Sequence, residues 1–149
     1  MNGMKLLISA CLLGVPCRYD GASKSCPEME ALLKQHTCIP VCPEQLGGLS
    51  TPRLPAERRG EGVFTREGGD VTAQFRRGAE VTLELARQYG CEAAVLKERS
   101  PSCGRGIIHD GTFSSGLTAG DGVTAELLEA NGIPVYGESR VGELLSHVK

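Results

Sequence analysis

An α/β fold is predicted by three features of the sequence: short apolar runs bounded by Gly and Pro, amphipathic segments at helical spacing between them, and a length of 149 residues that suits one domain. The expected architecture is a single domain over residues 1–149. It has a central, mainly parallel, Rossmann-like sheet, helices on both faces and small hairpin insertions. With 40% hydrophobic residues but only 4% aromatics and no Trp, its core must be aliphatic.

Residues 4–10 are an apolar run ended by Gly14 and Pro16, short enough for a buried strand. A helix follows over residues 27–35, with Pro27 in its first turn and Met29, Leu32 and Leu33 at helical spacing. Residues 37–41 read as a second strand. Residues 42–62 break into Pro, Gly and charged residues, too long for a plain connector and therefore a candidate functional loop. Residues 63–65 and 70–72, joined through Gly68-Gly69, read as a small hairpin. The strongest helix spans residues 73–89, with Phe75, Ala79, Leu83 and Ala86 on one face and Gly90 as a left-handed stop. A third strand at residues 93–96 leads into a loop over 97–106. Then come a hairpin around Asp110-Gly111, a helix over 121–130, a strand over 133–136 and a last helix from Val141.

Composition narrows the function classes. Sixteen basic against 18 acidic residues give a net charge of −2, so there is no general field for nucleic acid or anionic lipid, and no stable nucleic-acid complex is expected. Ile8-Ser9-Ala10-Cys11 has the outline of a lipoprotein cleavage site, but only Leu6, Leu7 and Ile8 precede it as an apolar core, short of a signal segment. No stretch approaches a membrane span. The expected location is the cytoplasm. There, seven cysteines, an odd number, point to metal, cluster or thiol chemistry rather than a disulfide framework.

Cys11, Cys42 and Cys103 follow the first, second and third predicted strands. In an open α/β sheet the carboxyl ends of parallel strands share one edge, where ligands bind, so thiols far apart in sequence can converge. Cys38 and Cys91 read as packing residues. Cys26 precedes Pro27 without an evident partner, and Cys17 is a candidate further ligand. Soft sulfur suits zinc or an iron–sulfur cluster. The only near fit to paired zinc spacing is Cys38-x3-Cys42. Three cysteines on a cluster that normally takes four would leave an iron open for Lewis-acid work. His36, His109 and His147 read as surface residues.

Three groups of motifs stand in order along the chain. The first is Ile8-Ser9-Ala10-Cys11-Leu12-Leu13-Gly14 with Cys17-Arg18-Tyr19-Asp20-Gly21. The second is Val41-Cys42-Pro43-Glu44 with Gly47-Gly48-Leu49 and Thr51-Pro52-Arg53. The third is Leu96-Lys97, Ser100-Pro101-Ser102-Cys103-Gly104, Asp110-Gly111-Thr112-Phe113 and Gly122-Val123-Thr124-Ala125. Together they resemble a bacterial and archaeal family long catalogued as a domain of unknown function, whose characterised members are thiouracil desulfidases. The resemblance implies a [4Fe–4S] cluster held by Cys11, Cys42 and Cys103, a catalytic Glu44 and a catalytic Ser102, with Ser100 the neighbouring alternative. It implies a small thiolated base as substrate and a non-redox hydrolysis that turns thiouracil into uracil and hydrogen sulfide. In that chemistry iron polarises the thiocarbonyl, Glu44 serves water or a ring nitrogen as proton carrier, and Ser102 binds the developing negative charge. Arg18, Asp20 and Arg53 are candidates to line the base pocket, and Lys97, Arg99 and Arg105 to favour an anionic nucleotide. Two rival readings stand beside it: a persulfide sulfurtransferase using Cys103 or Cys17 without a cluster, and a zinc-stabilised binding module without turnover.

Overall fold

The computed structural model describes residues 3–13 and 28–145. Its elements are β1 (Lys5–Ser9), α1 (Glu28–Gln35), β2 (Thr37–Val41), α2 (Pro43–Leu46), β3 (Ala56–Arg59), β4 (Gly62–Thr65), α3 (Thr72–Tyr89), β5 (Ala93–Leu96), β6 (Ile107–His109), β7 (Leu117–Ala119), α4 (Val123–Ala130) and β8 (Val135–Gly137). A 3-10 turn, Ala10–Leu13, follows β1, and a 3-10 helix, Glu138–Leu144, stands where a last α-helix was expected.

Four strands form the parallel sheet in the order β2-β1-β5-β8. β1 is buried beyond Lys5 and β5 along its whole length, as strands covered on both faces must be. Pro40 lies within β2, which tolerates it because β2 is an edge strand and the missing N–H costs no ladder bond on its open side. Side chains alternate between two cores. Leu7, Ala94 and Leu96 pack with Leu83 and Ala86 of α3 and Leu128 of α4, while Leu6, Ile8, Ala93 and Val95 pack with Met29 and Leu32 of α1 and with Val141. Helices therefore cover both faces, as predicted. The chain moves to one side of β1 to form β2 and to the other to form β5 and β8, so the order reverses at β1 and opens a crevice at the carboxyl ends of β1 and β5.

α3 carries the predicted face inward: Phe75, Ala79, Leu83 and Ala86 are buried, and Gly90 ends the helix at φ 69°. Gly78 on the same helix has a packing role, because a Cβ there would lie 1.9 Å from the Pro43 carbonyl oxygen. Its absence lets α2 rest directly on α3, which fixes the segment that carries Cys42 and Glu44.

The insertions differ from expectation in one respect. β4 does not take residues 70–72 as its main partner; it pairs antiparallel with β3 inside the stretch expected to be a loop. The turn through Gly68-Gly69 survives as a single bridge between Phe64 and Asp70, with Val71 N–H donating to the Val63 carbonyl and Thr65 N–H to that of Gly69. β6 and β7 form the second hairpin. No helix among the described residues is long and apolar enough to cross a membrane.

Candidate active site

A cavity of about 310 Å³ opens at the carboxyl edge of the sheet, and Cys11, Cys42 and Cys103 all line it, together with Glu44 and Ser100. The local fold explains each position. β1 ends at Ser9 and the following 3-10 turn tucks Cys11 against the core at 7% exposure. Cys42 is the extended residue between β2 and α2, and Glu44 stands in the first turn of that helix. Cys103, 6% exposed, comes from the loop after β5.

That loop is held by its own hydroxyls and by α4. Ser100 Oγ accepts the backbone N–H groups of Ser102 (3.0 Å) and Cys103 (3.1 Å). The carbonyls of Pro101 and Ser102 in turn accept N–H groups of Val123, Thr124 and Ala125, which the first turn of a helix leaves without intrahelical partners. At the other end Lys97 N–H donates to Ser9 Oγ (2.9 Å), tying the exit of β5 to that of β1. None of Cys11, Cys38, Cys42, Cys91 and Cys103 is in a disulfide. Burial pushes the Cys103 thiol far above its ordinary value, with the nearby Glu44 and Cys11 adding to the rise.

Glu44 accepts a charge-assisted bond at Oε1 from Arg53 Nε (2.9 Å), and Arg53 also donates from Nη1 to the Ser50 carbonyl (3.0 Å) and Thr51 Oγ1 (2.8 Å). Both residues line the cavity. Its outer wall comes from the hairpins. Glu57 of β3 accepts the N–H groups of Gly111 (2.9 Å) and Phe113 (3.1 Å), and Arg66 stacks over the Phe113 ring at 5.6 Å. Arg99, Phe113 and Ser115 are the non-glycine residues with positive φ among those described, and all three line this cavity. Left-handed backbone in such residues is costly and gathers where geometry is prescribed.

The fold therefore gathers Cys11, Cys42, Cys103, Glu44, Ser100 and Arg53 in one place. Ser102, expected as the catalytic hydroxyl, does not line the cavity: at 1% exposure its Oγ lies 3.0 Å from Thr124 Oγ1, and the Ser100 alternative faces the cavity instead. Lys97 and Arg99 line the wall, Lys97 paired with Glu138 (3.2 Å), whereas Arg105 pairs with Asp121 and Glu129 and does not. Arg18, Asp20, Cys17 and Cys26 lie outside the described residues. Cys91 belongs to one core and Cys38 packs against the other; burial pushes both thiols up.

Sequence reasoning missed Glu57, Arg66 and His109. The first two sit in charged strings that give no sign of facing inward. His109 lines the cavity, and its Nδ1 is buried without a hydrogen-bond partner. His36 is likewise no plain surface residue: Nδ1 accepts from Met4 N–H (2.9 Å), which places the ring proton on Nε2, 2.7 Å from the Leu144 carbonyl.

The 2-thiouracil desulfurase family model matches residues 6–140. Protein YbbK of Bacillus subtilis (strain 168) is 41% identical over 150 residues, covering 94% of this chain and 99% of that protein. A solved structure described as the [4Fe–4S]-dependent thiouracil desulfidase TudS superposes with a TM-score of 0.90 at 50% identity and covers 95% of each chain. With motifs, fold and nearly the full length in agreement, the chain belongs to the 2-thiouracil desulfurase family.

Proposed function

We propose that the protein is a [4Fe–4S]-dependent desulfidase that hydrolyses thiolated pyrimidine bases, converting thiouracil and water into uracil and hydrogen sulfide with no net electron transfer, and that it works in the reducing cytoplasm. The observation that carries this reading is the meeting of three thiols from three strand ends with Glu44 in one cavity. The donor set fits the cofactor. Three soft sulfurs suit iron–sulfur ligation, and the solved relative at half identity is a [4Fe–4S]-dependent enzyme. Cys11, Cys42 and Cys103 would hold the cluster. When bound, it supplies an iron without a protein ligand, whose Lewis acidity draws electron density from the thiocarbonyl.

The chain's own residues supply the rest. Arg53 holds Glu44 Oε1, so Oε2 is the oxygen left to take a proton from the attacking water and pass it on. Ser100 Oγ already accepts two backbone N–H groups, so its hydroxyl proton is free to donate into the cavity that it lines, to the substrate or to charge developing on it. Phe113 offers the planar base an aromatic wall. Arg18 and Asp20 keep their expected place as substrate-binding residues in this reading.

The rival chemistries fit less well. A persulfide carrier needs an accessible thiol, whereas Cys103 is almost wholly buried. A structural zinc site ordinarily pairs cysteines a few residues apart, whereas Cys38, the near neighbour of Cys42 in sequence, does not line the cavity. The test is to reconstitute the protein without oxygen, add 2-thiouracil and follow uracil and hydrosulfide. Equal amounts of both, without added reductant, are expected; a loaded protein that yields neither overturns the reading.

A further inference from the structure

We propose that Ser9 and Ser102 form a hydroxyl pair that donates two hydrogen bonds to the Cys103 sulfur and thereby sets the reduction potential and the air lifetime of the bound cluster. The inference rests on the cluster reading above. Ser9 is 2% exposed, and its Oγ accepts Lys97 N–H at 2.9 Å while lying 3.6 Å from Cys103 Sγ. Lys97 makes Ser9 an acceptor on one side, so the Ser9 hydroxyl proton is directed at the sulfur on the other. Ser102 Oγ lies 3.8 Å from the same sulfur and 3.0 Å from Thr124 Oγ1.

Ligation makes the arrangement directional. A cysteine that binds iron does so as thiolate and can only accept. The Ser102 contact then persists only if Ser102 donates to Cys103 and Thr124 donates to Ser102, which gives a chain of hydroxyls running from α4 to the ligand. Both serines are almost wholly buried, where water cannot stand in for them. Hydrogen bonds to ligand sulfurs withdraw electron density and are among the factors that set cluster potentials. With two such bonds the cluster is harder to oxidise and its open iron more Lewis acidic. Ser102, which does not line the cavity, acquires a role that needs no contact with substrate.

Ser9→Ala, Ser102→Ala, Ser9→Thr and Ser102→Thr would be reconstituted without oxygen, their iron and sulfide counted, and the midpoint potential and the decay of visible absorption in air recorded. Each alanine variant is expected to keep a full cluster but to shift its midpoint to more negative potential and to bleach faster. At the wild-type midpoint the reduced-to-oxidised ratio should fall about tenfold per lost bond, which is about 59 mV for a one-electron couple. The threonine variants, which keep the hydroxyl, should recover the wild-type value. Should Ser9→Ala fail to fold because Lys97 N–H loses its acceptor, Ser102→Ala decides alone. Wild-type midpoints in fully loaded alanine variants overturn the inference. A wild-type protein that takes up no cluster overturns the proposed function first.

Discussion

β5 is buried at every residue, whereas β3 has no fully buried residue and carries the sequence Ala-Glu-Arg-Arg. The contrast extends to the regions these strands belong to. The parallel sheet is apolar, covered on both faces, and ends its strands beside Cys11, Cys42 and Cys103. The two hairpins are polar and half-exposed, and they bring Glu57, Arg66, His109 and Phe113 to the same cavity. In the proposed function the ligands for an inorganic group would sit on the rigid part, with recognition left to insertions that can vary without disturbing the core.

The largest expected effect comes from the frame. Changing Cys11, Cys42 or Cys103 to Ala should prevent stable cluster assembly, seen as loss of bound iron and sulfide, while Cys38→Ala and Cys91→Ala should load normally and lower only the melting temperature. Equal loss from all five would erase the distinction between cavity thiols and core thiols. Next in size, Glu44→Gln keeps shape and hydrogen bonding but removes the proton acceptor, so turnover should fall by about 10²–10⁴ with iron content unchanged. A full rate in a fully loaded Glu44→Gln protein would remove the carboxylate from the chemistry.

Gly78→Ala probes how the frame supports the site. Its Cβ would meet the Pro43 carbonyl at 1.9 Å, so α2 must move, at an overpacking cost on the order of 1–3 kcal/mol. Cluster loading and turnover should drop together although neither a ligand nor Glu44 has changed; unchanged loading and rate would show that α2 tolerates the displacement. The smallest effect belongs to the hairpins: Phe113→Ala should raise KM by up to about tenfold, the worth of one aromatic contact, with iron content and kcat unchanged. A fall in loading in that variant would mean that the hairpins also build the cluster site.

The same contrast explains what could be read in the sequence. β1, β5 and the inward face of α3 were legible because burial on both faces or on one helical stripe leaves an unambiguous apolar pattern. That Cys11, Cys42 and Cys103 can share one edge followed from their places after three strands, and the family motifs singled out the same three, which line one cavity. β3 was not legible: its four residues have no apolar alternation, and its pairing with β4 is fixed by tertiary contact. Nor was the different placement of Ser100 and Ser102. It depends on tertiary contact, Ser100 lining the cavity while Ser102 is buried with its Oγ 3.0 Å from Thr124 Oγ1, a residue distant in sequence. Glu57 and Arg66 were hidden for the same reason, since charge in a hairpin ordinarily marks a solvated face.

The central claim is that the three thiols act through a bound cluster and not as nucleophiles. Its most direct test is the rate of hydrosulfide release from 2-thiouracil measured against iron bound per chain, with loading varied from apoprotein to full reconstitution in the absence of oxygen. The account predicts a rate that rises in proportion to bound iron from zero in the apoprotein, with uracil formed in equal amount. A rate that is independent of iron, or highest in the metal-free protein, would contradict it and return the cysteines to thiol chemistry.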